Sequence, residues 1–441
     1  MIAVVALAIA ATILYLGRRD VTRPAVAFGV VWFGCVALAQ LRLTENERPW
    51  PDGYWALVLA GGLVFVLAAV LAGGTAPARG AIVARREDYS PRRLVVAALV
   101  LSAGALAGLA YKADVLGGVP LLSGHADLLR SRAYRGGEVA IPAWSTALTD
   151  GFFLAMWCTL AALWTMRGAT RARRAATWAL AAGALFGVAL LASRNSVLFA
   201  LSVPLAAAYL LTRLGTRTAR AGWVGVGIAV FAAVVGGLFV VRVSENPSPQ
   251  ESFLEREVDR QPPALKLLVP FYVNAVYPLE AEARLYSVVP DRRPYALGAA
   301  SLLSLPDAAF PEGKPNFGLT LAELMRERRG DGLSWSVATY QGRLYGDGGW
   351  AMVLLGSALL GLGLGMLYRW ARARSGLVPV AVVGFVAYYA AYMTYDNLLS
   401  FTVIAVYDLA AIAAIDLYVR GELDEPLAAI AGVARRVGST G

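Results

Sequence analysis

YWALVLAGGLVFVLAAVLAG, residues 54–73, carries no ionisable group except the Tyr54 phenol. At about 1.5 Å of rise per residue, a helix of this length covers about 30 Å, the thickness of a bilayer's hydrocarbon core. Its aliphatic residues show no alternation with polar ones, so one face of a half-buried strand is excluded. Similar runs recur near 1–17, 24–41, 94–111, 144–166, 175–192, 196–212, 221–241, 349–368, 377–394 and 399–419. With 58% hydrophobic and only 16% charged residues among 441, the composition is that of an integral membrane protein rather than a soluble domain. The expected fold is all-α and polytopic, with about eleven transmembrane helices.

The first run has no basic residue ahead of it and no small-residue cleavage site before Arg18 and Arg19, so it reads as a retained span. Cys35 and Cys158 both fall inside apolar runs and read as small packing residues.

The net charge of +10 is a topology signal. Alternate gaps hold Arg18, Arg19, Arg23; Arg79, Arg85, Arg86, Arg92, Arg93; Arg167, Arg171, Arg173, Arg174; Arg213, Arg217, Arg220; and Arg369, Arg372, Arg374. Arginine-rich short loops stay in the cytoplasm, which places the N-terminus outside and the C-terminus inside. The chain then divides into helices one to eight over 1–241 with an outer loop at 112–143, a large extracytoplasmic loop over 242–348, helices nine to eleven over 349–419, and a cytoplasmic tail at 420–441. The charge pattern argues against a nucleic-acid partner, because it follows the short loops. Nine prolines between Pro262 and Pro315 predict that the large loop forms short, broken helices.

Chemistry-bearing residues gather at the outer ends of the spans. Ser193-Arg194-Asn195 forms a tight outer turn, and the forked guanidinium of Arg194 suits a lipid phosphate or diphosphate. Gly117-Gly118-Val119-Pro120-Leu121-Leu122-Ser123 leads into His125, Asp127, Arg130, Arg132 and Arg135. Arg130 and Arg135 are diphosphate-binding candidates, and His125, the one histidine, is a base candidate. Ser334-Trp335-Ser336 precedes Tyr340, Arg343, Tyr345, Asp347, Gly348 and Gly349, where the aromatics suit sugar faces and Arg343 a diphosphate. Asp347 and Asp396 are the further base candidates; for Asp396 helix capping is the competing role. Asp408 stands inside the last run, where a carboxylate is a functional candidate by default. There is no Walker loop, dinucleotide fingerprint, metal-ligand spacing or nucleophile elbow, so neither a cofactor nor a metal is expected.

These groups, in this order, resemble the O-antigen polymerase (oligosaccharide repeat-unit polymerase) family, related to the O-antigen ligases. The resemblance rests on the Gly-Gly-Val-Pro-Leu-Leu-Ser turn with its arginine-bearing loop, the Ser193-Arg194-Asn195 turn, and the stretch from Ser334 to Gly349. It implies a GT-C-like glycosyltransferase of the plasma membrane with its active site on the extracytoplasmic face. Donor and acceptor would both be undecaprenyl-diphosphate-linked oligosaccharides, and a flippase and a chain-length regulator would be partners. The role of the ligases' Ser-Arg turn carries diphosphate binding to Arg194, with Asn195, Trp335, Tyr340 and Tyr345 as substrate contacts. Ligases place a histidine just before the span after the large loop; Ser334-Trp335-Ser336 has none, which favours polymerase and leaves the base open. The alternatives are a ligase, a polyprenyl-monophosphate-sugar transferase with Glu45, Glu47 and Asp52 as its first-loop acids, and a lipid-linked oligosaccharide flippase.

Overall fold

The computed structural model describes residues 2–17, 20–44, 47, 49–74, 88–123, 129, 141–166, 168–191, 196, 197, 199–203, 258–262, 266, 268–292, 294–297, 301, 338–374, 376–395 and 402–422. Among them the regular structure is helical throughout. Four helices are long and apolar enough to cross a membrane: Tyr54–Gly73, Pro91–Leu116, Trp144–Thr165 and Tyr340–Arg372. Three shorter apolar helices are Ile2–Leu16, Pro24–Leu38 and Leu377–Tyr392. The expected runs at 196–212 and 221–241 lie largely or wholly outside the described residues.

In chain order the helices are α1 (Ile2–Leu16), α2 (Pro24–Leu38), α3 (Tyr54–Gly73), α4 (Pro91–Leu116), α5 (Ala143–Thr165), α6 (Arg171–Leu190), α7 (Val269–Tyr286), α8 (Tyr340–Arg372), α9 (Leu377–Tyr392) and α10 (Thr402–Arg420). The chain falls into two compact units. The first comprises Met1–Gly80, Arg220–Ala373 and Val382–Ala405; the second comprises Ala81–Ala219, Arg374–Ala381 and Val406–Gly441.

In the first unit α3 packs along α8, α1 against α2, and α7 against both α2 and α8. Close approach of α3 and α8 depends on small residues: a Cβ added at Gly365 would lie 2.7 Å from the Ala69 carbonyl oxygen. Around them Phe28, Trp32, Phe65 and Tyr340 form an aromatic core, with Phe28 and Phe65 centroids 4.0 Å apart. A Gly-Gly break divides α8. Gly349 has φ +65 and ψ −148, backbone that side-chain-bearing residues avoid, and a Cβ there would meet the Tyr295 hydroxyl at 2.6 Å.

In the second unit α4 packs closely on α5, and α5 on α6. Gly108 and Gly151 allow that contact; a Cβ at Gly151 would fall 2.9 Å from the Leu101 carbonyl oxygen. Tyr89 ties the other end together. Its hydroxyl accepts from Leu377 N at 3.1 Å and from Arg420 Nη2 at 2.7 Å, while Arg420 pairs with Asp416 at 3.0 Å. Burial and the Asp416 charge push the Tyr89 phenol up to about 12, so it stays neutral at physiological pH.

Much of the 242–348 segment, expected to form short broken helices, lies outside the described residues. Of its described residues, eighteen form the continuous helix α7. Pro270 sits in the first turn, where no backbone N–H is needed, and only Pro278 interrupts the ladder. Every residue from Val276 to Leu285 is buried, so packing on all sides holds the helix despite that proline.

Candidate functional site

A helix enclosed on every face is ordinarily apolar throughout. Instead, α7 reads VPFYVNAVYPLEAEARLY and buries Glu280, Glu282 and Arg284. Two residues apart on a helix, the two glutamates leave it in nearly opposite directions. Each therefore meets a different wall, and a buried carboxylate requires donors there.

On one side, Trp50 Nε1 donates to Glu280 Oε1 at 2.6 Å. Nearby, Tyr272 donates to Glu47 Oε2 at 2.6 Å and accepts from Leu43 N at 3.1 Å. Thr44 donates to Glu47 Oε1 at 2.7 Å, and its hydroxyl also lies 3.2 Å from the Tyr277 hydroxyl. The loop between α2 and α3 is thereby fastened to α7 by tyrosines and carboxylates. Burial is the main cause that pushes the Tyr272 phenol upward, with the bonded Glu47 next.

On the other side stands Glu282, whose residue is 0% exposed. Thr339 caps α8: its Oγ1 accepts from Gly342 N at 3.2 Å and donates to Glu282 Oε2. Gly342 lets α8 lie directly on the glutamate, since a Cβ there would be 3.2 Å from Glu282 Cγ. The Tyr54 hydroxyl, near enough to favour the Glu282 anion, is committed to the Leu279 carbonyl oxygen at 2.9 Å. Glu282 Oε1 makes no hydrogen bond among the described residues. Burial raises this carboxyl to about 8, against the opposing influence of Thr339 and Tyr54. Once ionised, it has one oxygen anchored by Thr339 and one able to accept a proton.

Aromatic rings continue past the glutamates. Trp55 and Trp50 lie 4.1 Å apart, Trp50 and Tyr54 4.8 Å, Tyr54 and Tyr286 5.6 Å, Tyr286 and Tyr345 4.9 Å, and Tyr345 and Tyr295 6.5 Å. The ladder is deeply buried at Tyr54 and partly exposed at Trp55 and Tyr295, so its ends are open to approach. Faces of this kind suit sugar rings, and carboxylates beside them accept hydrogen bonds from hydroxyl groups.

Of the eleven residues read as base, diphosphate-binding or substrate-contact candidates, four are described. Tyr345 belongs to the ladder and donates to the Val289 carbonyl oxygen at 3.0 Å. Tyr340 is a core residue whose hydroxyl lies 3.0 Å from Ser357 Oγ and accepts from Gln341 Nε2 at 3.1 Å. Asp347 is buried and accepts from Ser301 N at 2.9 Å, and Ala296 and Leu297 donate their backbone N–H to the Gly346 and Asp347 carbonyls of α8. Arg343 is half-buried in the first turns of α8. His125, Arg130, Arg135, Arg194, Asn195, Trp335 and Asp396 lie outside the described residues. Sequence reasoning missed Glu280, Glu282, Trp50, Tyr54 and Thr339. The available signal was Pro278-Leu-Glu-Ala-Glu-Ala-Arg-Leu-Tyr286, acids at alternate positions inside an otherwise apolar helix.

No group of three His, Cys, Asp or Glu side chains that would hold a metal ion occurs among the described residues. The chain matches no protein-family model, no curated protein and no solved structure.

Proposed function

We propose that this chain is a membrane glycosyltransferase that joins undecaprenyl-diphosphate-linked oligosaccharide repeat units on the outer face of the plasma membrane. The proposal includes the eleven-span, N-out/C-in topology and the GT-C-like arrangement that the charge pattern and the resemblance suggest. The observation that carries it is α7. A helix from the segment assigned to the outer side brings Glu282, with its open Oε1, beside the Trp50–Tyr54–Tyr286–Tyr345 ladder.

In the reaction, an acceptor hydroxyl oxygen attacks the donor's anomeric carbon as the bond to the diphosphate oxygen breaks. Undecaprenyl diphosphate leaves with the electron pair, and a single displacement inverts the anomeric centre. Glu282 takes the acceptor proton on Oε1, joining His125, Asp347 and Asp396 as base candidates. A base contributes about 10²- to 10⁴-fold when held within hydrogen-bond reach of that hydroxyl. Arg194, Arg130, Arg135 and Arg343 supply the positive charge that stabilises the diphosphate as it departs.

One observation favours the polyprenyl-monophosphate-sugar donor as a second reading. Glu47, from the loop preceding α3, is drawn onto α7 through Tyr272, so the first-loop acid and the α7 acids share one neighbourhood.

The test is reconstitution of the purified chain in liposomes with lipid-linked repeat units, without nucleotide and with a chelator present. Oligomers of the repeat unit should form, and Arg194→Ala and Arg194→Lys should both lose most of the product, since lysine lacks the bidentate fork. A strict divalent-metal requirement, or growth only from a monophosphate-linked sugar, would remove the diphosphate reading.

A further inference from the structure

The second unit contains a group of charges that glycosyl transfer does not use. Lys112 lies in the last turns of α4, Asp150 in the second turn of α5, and Asp408 in the second turn of α10. Gly108 permits the approach, since a Cβ there would lie 2.8 Å from Leu148 Cβ and 3.3 Å from Thr149 N. With the helices so close, Lys112 Nζ donates to Thr149 Oγ1 at 2.8 Å, and its charge acts on Asp150. On α10, Tyr407 donates to the Ala147 carbonyl oxygen at 3.2 Å, fixing the next residue, Asp408, near Asp150.

Asp408 is 1% exposed, and neither carboxylate oxygen has a hydrogen-bond partner among the described residues. Among the described residues, no other acid has both carboxylate oxygens buried without a partner. Lys112 and Asp150 balance each other, which leaves the group one negative charge in excess. An isolated carboxylate within apolar helices is too costly to persist without compensation. Either a proton or a bound cation must supply one positive charge. The single charge left over once Lys112 offsets Asp150, with the Thr149 hydroxyl next to Asp150 in the chain, favours a monovalent ligand over a divalent one.

We propose that Asp408, Asp150 and Thr149, with Lys112 setting the charge balance, form a binding site for one monovalent cation, H⁺ or Na⁺, within the membrane-spanning part of the second unit. Occupancy neutralises Asp408 and holds α10 to α5; release exposes two carboxylates to each other and loosens that contact. The charged group facing Asp408 from a neighbouring helix is Asp150, which Lys112 in turn faces, and Tyr407 stands beside it on its own helix. The site stands independently of the glycosyl-transfer reading and gives the chain a means of responding to an ion gradient.

The full chain in detergent is unfolded thermally in choline chloride and in NaCl at equal ionic strength, at about pH 5 and about pH 8. At the higher pH, Na⁺ should raise the unfolding midpoint by several degrees over choline if the ligand is Na⁺. If the ligand is the proton, acid alone should raise it and Na⁺ should do nothing. In either case Asp408→Asn should remove most of the response, because the amide is neutral at both pH values. Should that variant fail to purify, Asp150→Asn serves: with the like charge gone, the cation concentration giving half the effect should shift about tenfold or more. A wild-type midpoint indifferent to both cations, or an equal response in wild type and variant, overturns the proposal.

Discussion

Both units bury carboxylates among apolar helices, and the acids of α7 and Asp408 of α10 are treated in opposite ways. Around α7 the acids are met by donors: Trp50 on Glu280, Thr339 on Glu282, Tyr272 and Thr44 on Glu47. On α10 Asp416 is paired with Arg420, but Asp408 is left bare, facing another carboxylate with no donor on either oxygen among the described residues. A bonded acid has a fixed direction and can serve as a positioned base or hydroxyl acceptor. A bare one is unstable until something arrives. The contrast suggests a prearranged chemical site in the first unit and a ligand-dependent contact in the second.

The most damaging change to the first half of that comparison is Glu282→Gln. The amide keeps the volume and can still accept from Thr339, yet it has no basicity. Transfer of sugar should fall by about 10²- to 10⁴-fold with the fold retained. In the wild type the rate should rise with pH through about 8, because burial holds the acid form below that value and only the anion accepts a proton. A Gln variant with a near-wild-type rate would make Glu282 a structural residue and return the base to His125, Asp347 or Asp396.

Apolar replacement tests the contrast through stability. Glu282→Leu strips a partner from Thr339 in a closed site and should destabilise the chain by about 1–3 kcal/mol. Asp408→Leu removes an uncompensated charge and should be neutral or stabilising when assayed in choline at about pH 8. The unfolding midpoint should therefore fall in Glu282→Leu and hold level or rise in Asp408→Leu. Equal losses would show that Asp408 is as well satisfied as Glu282.

The helices of both units were largely legible and the acids of the first were not. Residues 54–73 and 144–166 were bounded within a residue of α3 and α5, because long uncharged runs have one solution in a bilayer. The reading of 94–111 stopped short of α4 at both ends. Ser90 caps the helix over an N-terminal proline, and Gly117, at φ +80, ends it beyond Lys112 and Asp114. Charges that looked like loop residues are thus helical, which is how Lys112 comes to face Thr149. Helix α7 was hidden for a different reason. Its prolines and acids argue locally for a loop, and only contacts with α2 and α8, distant in sequence, make the helix stable. Asp408 was identifiable because a carboxylate in an apolar run is conspicuous, whereas its relation to Asp150 depends on packing between α5 and α10.

The smallest expected effect falls on Thr339, and it separates position from chemistry most cleanly. Its hydroxyl does two things: it caps α8 by accepting from Gly342 N, and it donates to Glu282. Thr339→Ala loses both and should lower stability by about 1 kcal/mol, the usual worth of a helix cap. Because the donated hydrogen bond favours the Glu282 anion, its loss should raise that carboxyl above about 8 and move the rising limb of the rate profile to higher pH. At high enough pH the variant should regain much of the wild-type rate, since the base itself is intact. Thr339→Ser keeps the hydroxyl and should restore both the stability and the profile. A profile unmoved in Thr339→Ala, with stability reduced, would confine Thr339 to capping and separate Glu282 from the proton transfer.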